Sequence, residues 1–494
     1  MRSLLRVKKL LATAFALSML LMFNGCKKDD PEPDYPAPSI TVSEESLELK
    51  PGESTSLTLT IVAEGGLESI VVNKNGGFME EITLSDKTVT TYDYTITADT
   101  DVAEGDVIEY EFIGVNTQEK ESGAVDVVVN IAVYTSMDVD GTKVYEVDIP
   151  ENNLVPEGTT IKFAKDRGYY LTGSLNFPEN TTLVAEEGAT IYFTADSIFI
   201  YVEGTVDIQG TSSNPVVMTS AKTIINGEEP AAGDWMNFEL EGTGNGSDLG
   251  TIKYLRLEYA DDRGFRLDNV GNGTDISYVQ TYEIKEEGVM VTDGDVNLKY
   301  IVSTNSEDSN FRLGDSYQGM GQFLIAINST KGEEAFYIRD DSQVKLANVT
   351  VVGPGVNTAD DGFENAGVRF RSSNGGEVYN AIVTGLPDWG VRSDSIPTDI
   401  DGDRVLAYSN VYDNDSRDDD FADVFFTETS FNNSEDAIAG ITVGSIVPDS
   451  EATSSFNPSS IDAFFDAATF KGAIQNAAND WTVGWVKNPD GSIR

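Results

Sequence analysis

The sequence predicts an all-β protein in two parts, a β-sandwich followed by a parallel β-helix solenoid. Three observations carry this. Residues 39–134 contain runs of period-two alternation separated by turn residues, and beyond residue 140 short strands return every 22–32 residues. The 3.6-residue periodicity of helices is nearly absent from that second region.

The first element is a leader. Arg2, Arg6, Lys8 and Lys9 precede an uncharged run from Leu10 to Phe23, the layout of a secretory signal and too short to span a bilayer comfortably. Gly25-Cys26 resembles the end of a bacterial lipobox, and "CKKDD" resembles the acidic export tag of Bacteroidota lipoproteins displayed on the outer face of the outer membrane. Cys26 is the only cysteine, so it forms no internal disulfide. The resemblance implies that residues 1–25 are removed and that Cys26 carries acyl chains, each buried CH₂ contributing ~0.8 kcal/mol to membrane attachment.

Composition narrows the chemistry. The chain has 33 Lys+Arg against 83 Asp+Glu; without the four basic residues of 1–25 the balance is 29 against 83, a formal charge of −54. Such a surface repels nucleic acid, so no nucleic-acid partner is expected. Histidine is absent, which excludes Ser-His and Cys-His hydrolases and leaves carboxylates, Lys, Arg and Tyr for any acid–base work.

Residues 26–37, acidic and proline-rich, read as a flexible linker. Residues 38–135 form the sandwich, with strands at "SLTLTI" (56–61), "YDYTIT" (92–97), "VIEYEFIGV" (107–115) and "VDVVVNIAV" (125–133) and turns at Pro51-Gly52 and Asn75-Gly76-Gly77. The pattern resembles the Ig-like domains found at the start of surface lipoproteins.

Residues 140–494 form the solenoid and its C-terminal cap. "GFRLD" (264–268), "GVMVT" (288–292), "NFRLG" (310–314), "AFYIR" (335–339), "GVRFR" (367–371) and "GVRSD" (390–394) align as repeat starts. A second apolar strand follows in each period, for example "ISYVQTY" (276–282) and "LKYIVST" (298–304). "GDWMNF" (233–238), "GTIKYLRLEYA" (250–260), "DGDVNLKY" (293–300) and "FFDAATFKGAIQNAANDWTVGW" (464–485) resemble Bacteroidota-type surface lipoproteins with a right-handed parallel β-helix of pectate-lyase-like architecture. That resemblance covers most of residues 150–494; it implies the fold and says little about a reaction. Trp481 and Trp485 are expected to cover the open end of the solenoid.

Two columns emerge from the alignment. Arg266, Met290, Arg312, Tyr337, Arg369 and Arg392 share the third position of the repeat and should project from one face at the ~4.8 Å strand spacing. Four of the 12 arginines beyond residue 26 fall in this column, making Arg266, Arg312, Tyr337, Arg369 and Arg392 candidate ligand-binding residues on a solvent-facing stripe. Before the repeat starts run Asp261-Asp262, Glu286-Glu287, Glu307-Asp308, Glu333-Glu334 and Asp360-Asp361, with a single Asp388. Stacked carboxylates repel unless something offsets them. Neighbouring arginines, calcium held by these carboxylates, or use of the Arg/Tyr stripe as a glycan or anion platform are the three readings. "TDIDGDR" (398–404) has its glycine at the wrong place for an EF-hand loop.

The resulting expectation is a membrane-anchored protein facing the cell exterior that binds extracellular glycan or another ligand along the helix, or serves as an adhesin or transporter accessory. A polysaccharide lyase or glycosidase is the alternative, by analogy with other β-helices. Binding is favoured over catalysis because the acidic surface opposes a uronate polymer.

Overall fold

The structure, a computed structural model, describes residues 33–99, 102, 105–132, 135–329, 332–358, 365–371, 375–394, 404–442 and 444–494. The leader, Cys26, Asp360, Asp361 and nearly all of 398–404 lie outside these residues. Two compact units divide the chain; the first takes residues up to Ile131 apart from two short loop segments, and the second runs on from Ala132.

In the first unit, Ser39–Val42, Ser54–Val62 and Thr91–Thr97 form a three-stranded antiparallel sheet. Ser46–Leu49, Val125–Ile131, Val107–Asn116, Leu67–Lys74 and Gly77–Thr83 form a five-stranded one, with only the Ser46–Leu49 pairing parallel. Alternation decides which side chains meet: Ile108, Tyr110 and Phe112 are buried on one face of their strand. Phe112 meets Tyr94 of the other sheet edge-on at 5.2 Å. At the Asn75-Gly76 turn both central residues have positive φ, 50° and 72°, the geometry a two-residue hairpin requires.

The second unit is a right-handed parallel β-solenoid, as the repeat spacing predicts. One side is a ten-stranded parallel sheet: Leu175–Phe177, Ile200–Val202, Phe238–Glu241, Arg263–Asp268, Glu287–Thr292, Phe311–Gly314, Glu334–Arg339, Ala366–Arg371, Trp389–Ser393 and Ser416–Asp418. Its inward positions are apolar and repeat in register, so like side chains stack; Phe238 lies on Phe265 at 5.6 Å and Phe311 on Phe336 at 4.5 Å.

The remaining sides come from long strands that bend in the central turns, and from pairs of short strands, such as Thr182–Glu186 with Thr190–Phe193, in the first and last turns. Gly250–Glu258, Asp275–Ile284, Asn297–Ser306, Met320–Ile327 and Lys345–Val352 turn at an aligned left-handed residue, Tyr254, Tyr278, Tyr300, Phe323 and Asn348, with φ of 52–61°. Bulky residues disfavour that conformation. Stacking offsets the cost, because the four rings follow one another at 4.4, 4.5 and 4.9 Å.

The C-terminal segment runs back along this corner. Trp485 packs edge-on against Tyr254 at 5.6 Å, Trp481 against Tyr300 at 5.2 Å, and Asn348 donates to the Phe470 carbonyl at 2.6 Å. The expectation that the two tryptophans close the end of the solenoid is therefore corrected: they cover its side. There the tyrosine stack presents apolar rings that the tryptophans bury, while Phe425 and Phe431 pack onto the last turns, Phe425 lying 5.7 Å from Phe370. The seam is a second core in which Val302, Ile325, Val352 and Ile382 meet Ile441, Ile446, Trp485 and Val486.

Candidate binding face

Because side chains alternate along a strand, the positions between the buried Phe265 and Leu267 and their equivalents point outward from the ten-stranded sheet. Strand pairing aligns Glu239, Arg266, Met290, Arg312, Tyr337, Arg369 and Arg392 in one unbroken column. All five candidate ligand-binding residues thus occupy consecutive or near-consecutive rungs.

The column is less open than the sequence suggests. The arginine side chains are 30% (Arg266), 22% (Arg312), 11% (Arg369) and 22% (Arg392) exposed, and Tyr337 is buried. Flanking side chains cover them. Arg266 pairs with Asp268 at 2.5 Å, Arg312 with Glu287 at 2.5 Å, Arg369 with Glu334 at 2.6 Å, and Arg392 with Asp419 at 4.0 Å. Guanidinium groups also surround the aromatic rings: Arg339, Arg369 and Arg371 lie 5.3, 5.5 and 5.8 Å from the centre of Tyr337, and Arg392 lies 4.8 Å from that of Trp389. The sequence reading missed Arg263, Arg339 and Arg371. Their signal was available, since they stand two or three residues from the aligned column on the same strands.

The acidic turn is also in register. The Glu286 N–H donates to the Asp261 carbonyl at 3.0 Å, Asp308 to Glu286 at 3.3 Å and Glu333 to Asp308 at 3.1 Å. The side chains then diverge. Asp261 takes Lys285 at 2.8 Å and Asp262 takes Arg263, while Glu307 keeps its backbone bond to Ile284 at 2.8 Å. Glu287 and Glu334 fold onto the sheet face and are buried there. Burial raises the Glu334 carboxyl above its ordinary range, and Arg369 opposes that shift. Burial, then the neighbouring Asp262, raise Glu286.

Among the described residues, two groups of carboxylates converge closely enough to share a cation: Asp308, Glu333 and Glu334, and Glu239, Glu241 and Asp268, each within 4.8 Å. The first comes from the predicted ladder; the second lies on the strand faces and was not anticipated. Both oxygens of Glu334 are already engaged, one by Arg369 and the other by the Ser309 hydroxyl at 3.2 Å. The donor set therefore fits an ion pair better than a metal at this rung.

Residues 156–486 match the family model described as a pectate-lyase like beta helix domain. No curated protein matches the chain. Similar solved structures include fibronectin(III)-like modules of Clostridium thermocellum CbhA, at 13% identity and a TM-score of 0.16, covering 19% of this chain and 47% of that one. The chain thus spans about half the length of those modules. The catalytic domain of a GH87 alpha-1,3-glucanase in complex with tetrasaccharides aligns at 13% identity and a TM-score of 0.22, over 77% of this chain and 83% of that one. Pectate lyase PelI from Erwinia chrysanthemi, in complex with tetragalacturonic acid, aligns at 11% identity and a TM-score of 0.13, over 66% and 87%.

Proposed function

The chain belongs to the pectate-lyase-like β-helix family, and from that premise we propose that it is a lipid-anchored surface protein that binds neutral glycan along the outer face of the ten-stranded sheet. The observation that carries this reading is the Arg/Tyr column, which Met290 interrupts at one rung. Its arginine rungs supply forked donors on strands spaced about 4.8 Å apart, with the half-buried Trp389 ring beside Arg392, an arrangement suited to a polymer with a regular repeat. The glycan is neutral because each arginine of the column already has a carboxylate partner, so the face has no surplus positive charge for a uronate chain.

Attachment through Cys26 to the outer membrane, with an Ig-like spacer before the solenoid, completes the reading. No helix among the described residues is long and apolar enough to cross a membrane. Labelling cells with an alkyne fatty acid should tag the wild type and not Cys26→Ser. If calcium joins the ladder, Asp308, Glu333 and Glu334 are its ligands, but Arg369 already offsets the charge of Glu334, as Lys285 does that of Asp261 further along the ladder. A glycan array of neutral and uronate polymers tests the central reading: binding confined to uronates would overturn it.

One observation favours a second reading, glycoside hydrolysis. Glu287 and Glu334 each begin a strand of the sheet, two rungs apart, so their backbones lie about 9.6 Å from each other by the strand spacing, a span compatible with the carboxyl separation of an inverting pair. Both are tied to arginines, which opposes proton transfer. Release of reducing ends from any glycan bound on the array would favour hydrolysis.

A further inference from the structure

A second polar seam follows one corner of the solenoid, away from the sheet face. Here the Asn328 N–H donates to the Val352 carbonyl at 3.0 Å, Gly353 to Thr384 at 2.9 Å, and Gly385 to Asp413 at 3.1 Å, so four successive rungs present equivalent positions. The opposite wall is the C-terminal segment. It is held in place by Ile441, Ile446 and Trp485 in the second core, and by Arg494, which donates to Asp480 at 2.9 Å and to the Thr482 hydroxyl at 2.7 Å.

Two cavities open between these walls. One of about 480 Å³ is lined by Asn357, Thr358, Thr384, Asp413 and Thr442 among others, and one of about 350 Å³ by Asn328, Ser329, Asn488 and Asp490 among others. The solenoid wall passes from Asn328 through Gly353 and Gly385 to Asp413, so the cavities follow one another along the same corner. Left-handed glycines at the larger cavity, Gly355 (φ 105°) and Gly385 (φ 78°), turn the backbone tightly enough to leave that space.

We propose that this seam is a binding site for a neutral oligosaccharide lying along the solenoid axis. Its lining mixes amides and hydroxyls, among them Asn328, Asn357 and Thr384, which pair with sugar hydroxyls, with apolar groups such as Pro354, Val356 and Ile441, against which the C–H faces of a sugar ring can lie. Its acids are Asp413 and Asp490, and its one lining cation, Arg494, is bound to Asp480, so an anionic sugar is disfavoured. A peptide strand is disfavoured too. Backbone groups at this corner bond from rung to rung and leave no open sheet edge for strand addition. The rung spacing, about 4.8 Å, is close to the length of one sugar unit in an extended glycan.

The test titrates the mature chain with cellotetraose, laminaritetraose and mannotetraose, with tetragalacturonate as the anionic arm, by calorimetry. Thr442→Phe fills the larger cavity from an exposed position, so folding is preserved, and an unchanged Tm verifies it. The expected result is binding of at least one neutral tetrasaccharide, weakened tenfold or more by Thr442→Phe. Binding unaffected by Thr442→Phe, binding of tetragalacturonate alone, or no binding at millimolar sugar would each overturn the inference. A loss caused by Arg392→Ala and not by Thr442→Phe assigns the sugar to the sheet face; that sinks the seam and leaves the proposed function standing.

Discussion

Replacing Arg369 with alanine separates a stripe that merely faces solvent from one wired into the sheet. Arg369 is 11% exposed and its partner Glu334 1%, so the substitution strands a buried carboxylate. Removing one member of a buried pair typically costs about 3–5 kcal/mol. Arg392 pairs loosely with Asp419 at 4.0 Å, and the two are 22% and 19% exposed, so Arg392→Ala should cost about 1 kcal/mol or less. Denaturant unfolding measures both. The pH dependence identifies the cause. Without the guanidinium, only the Ser309 hydrogen bond still opposes burial and Asp308 at Glu334, and its raised carboxyl moves higher still. The penalty is then full where Glu334 is charged and shrinks as pH falls through that raised value, because the protonated acid needs no partner. Arg369→Ala/Glu334→Gln should recover most of the loss. A penalty for Arg369→Ala below about 1 kcal/mol, the value of an exposed pair, or one that does not change with pH would refute the reasoning.

Three further outcomes follow from the geometry. Trp485→Ala, at a fully buried position between the C-terminal segment and the tyrosine stack, should destabilise the solenoid by about 3–5 kcal/mol and lower its Tm. The Tm should rise as pH is lowered from 7 toward 5: Glu239, Glu283, Glu286 and Glu334 have carboxyls raised above 4.5 chiefly by burial, and such groups contribute stability fully below the unfolded value and lose it as pH rises through the folded one. Chelator should leave the Tm unchanged at moderate salt, since a ligand bound only by the native state would otherwise lower it on removal.

The solenoid was legible because its repeats carry one chemical mark at a fixed strand position, and the register of Arg266, Arg312, Tyr337, Arg369 and Arg392 is the one the alignment predicts. Earlier turns were less legible, since the same column there holds Asn176, Tyr201 and Glu239 and the helix Lys222–Asn226 interrupts the spacing. In the first unit, Leu67–Lys74 and Gly77–Thr83 were missed although their turn was marked. Gly77–Thr83 lies at the edge of its sheet and has no buried residue, so its alternation is faint. The pairing of the arginines was hidden for another reason. Arg369 and Glu334 are 35 residues apart, and only the stacking of rungs brings them together. The C-terminal segment has little regular secondary structure, and its place is set by contacts such as that of Trp485 with Tyr254, which no local pattern announces.

The measurement that bears most directly on glycan binding by the sheet face is a double-mutant cycle with the neutral glycan identified on the array, using Tyr337→Leu and Arg392→Gln. The two positions lie two rungs apart, about 9.6 Å, so one extended ligand links them. Each change should weaken binding by about 1–3 kcal/mol, and the pair should lose less or more than the sum by at least about 0.5 kcal/mol. Binding equal to wild type in both single variants, with Tm values showing that each is folded, would contradict a ligand on this face.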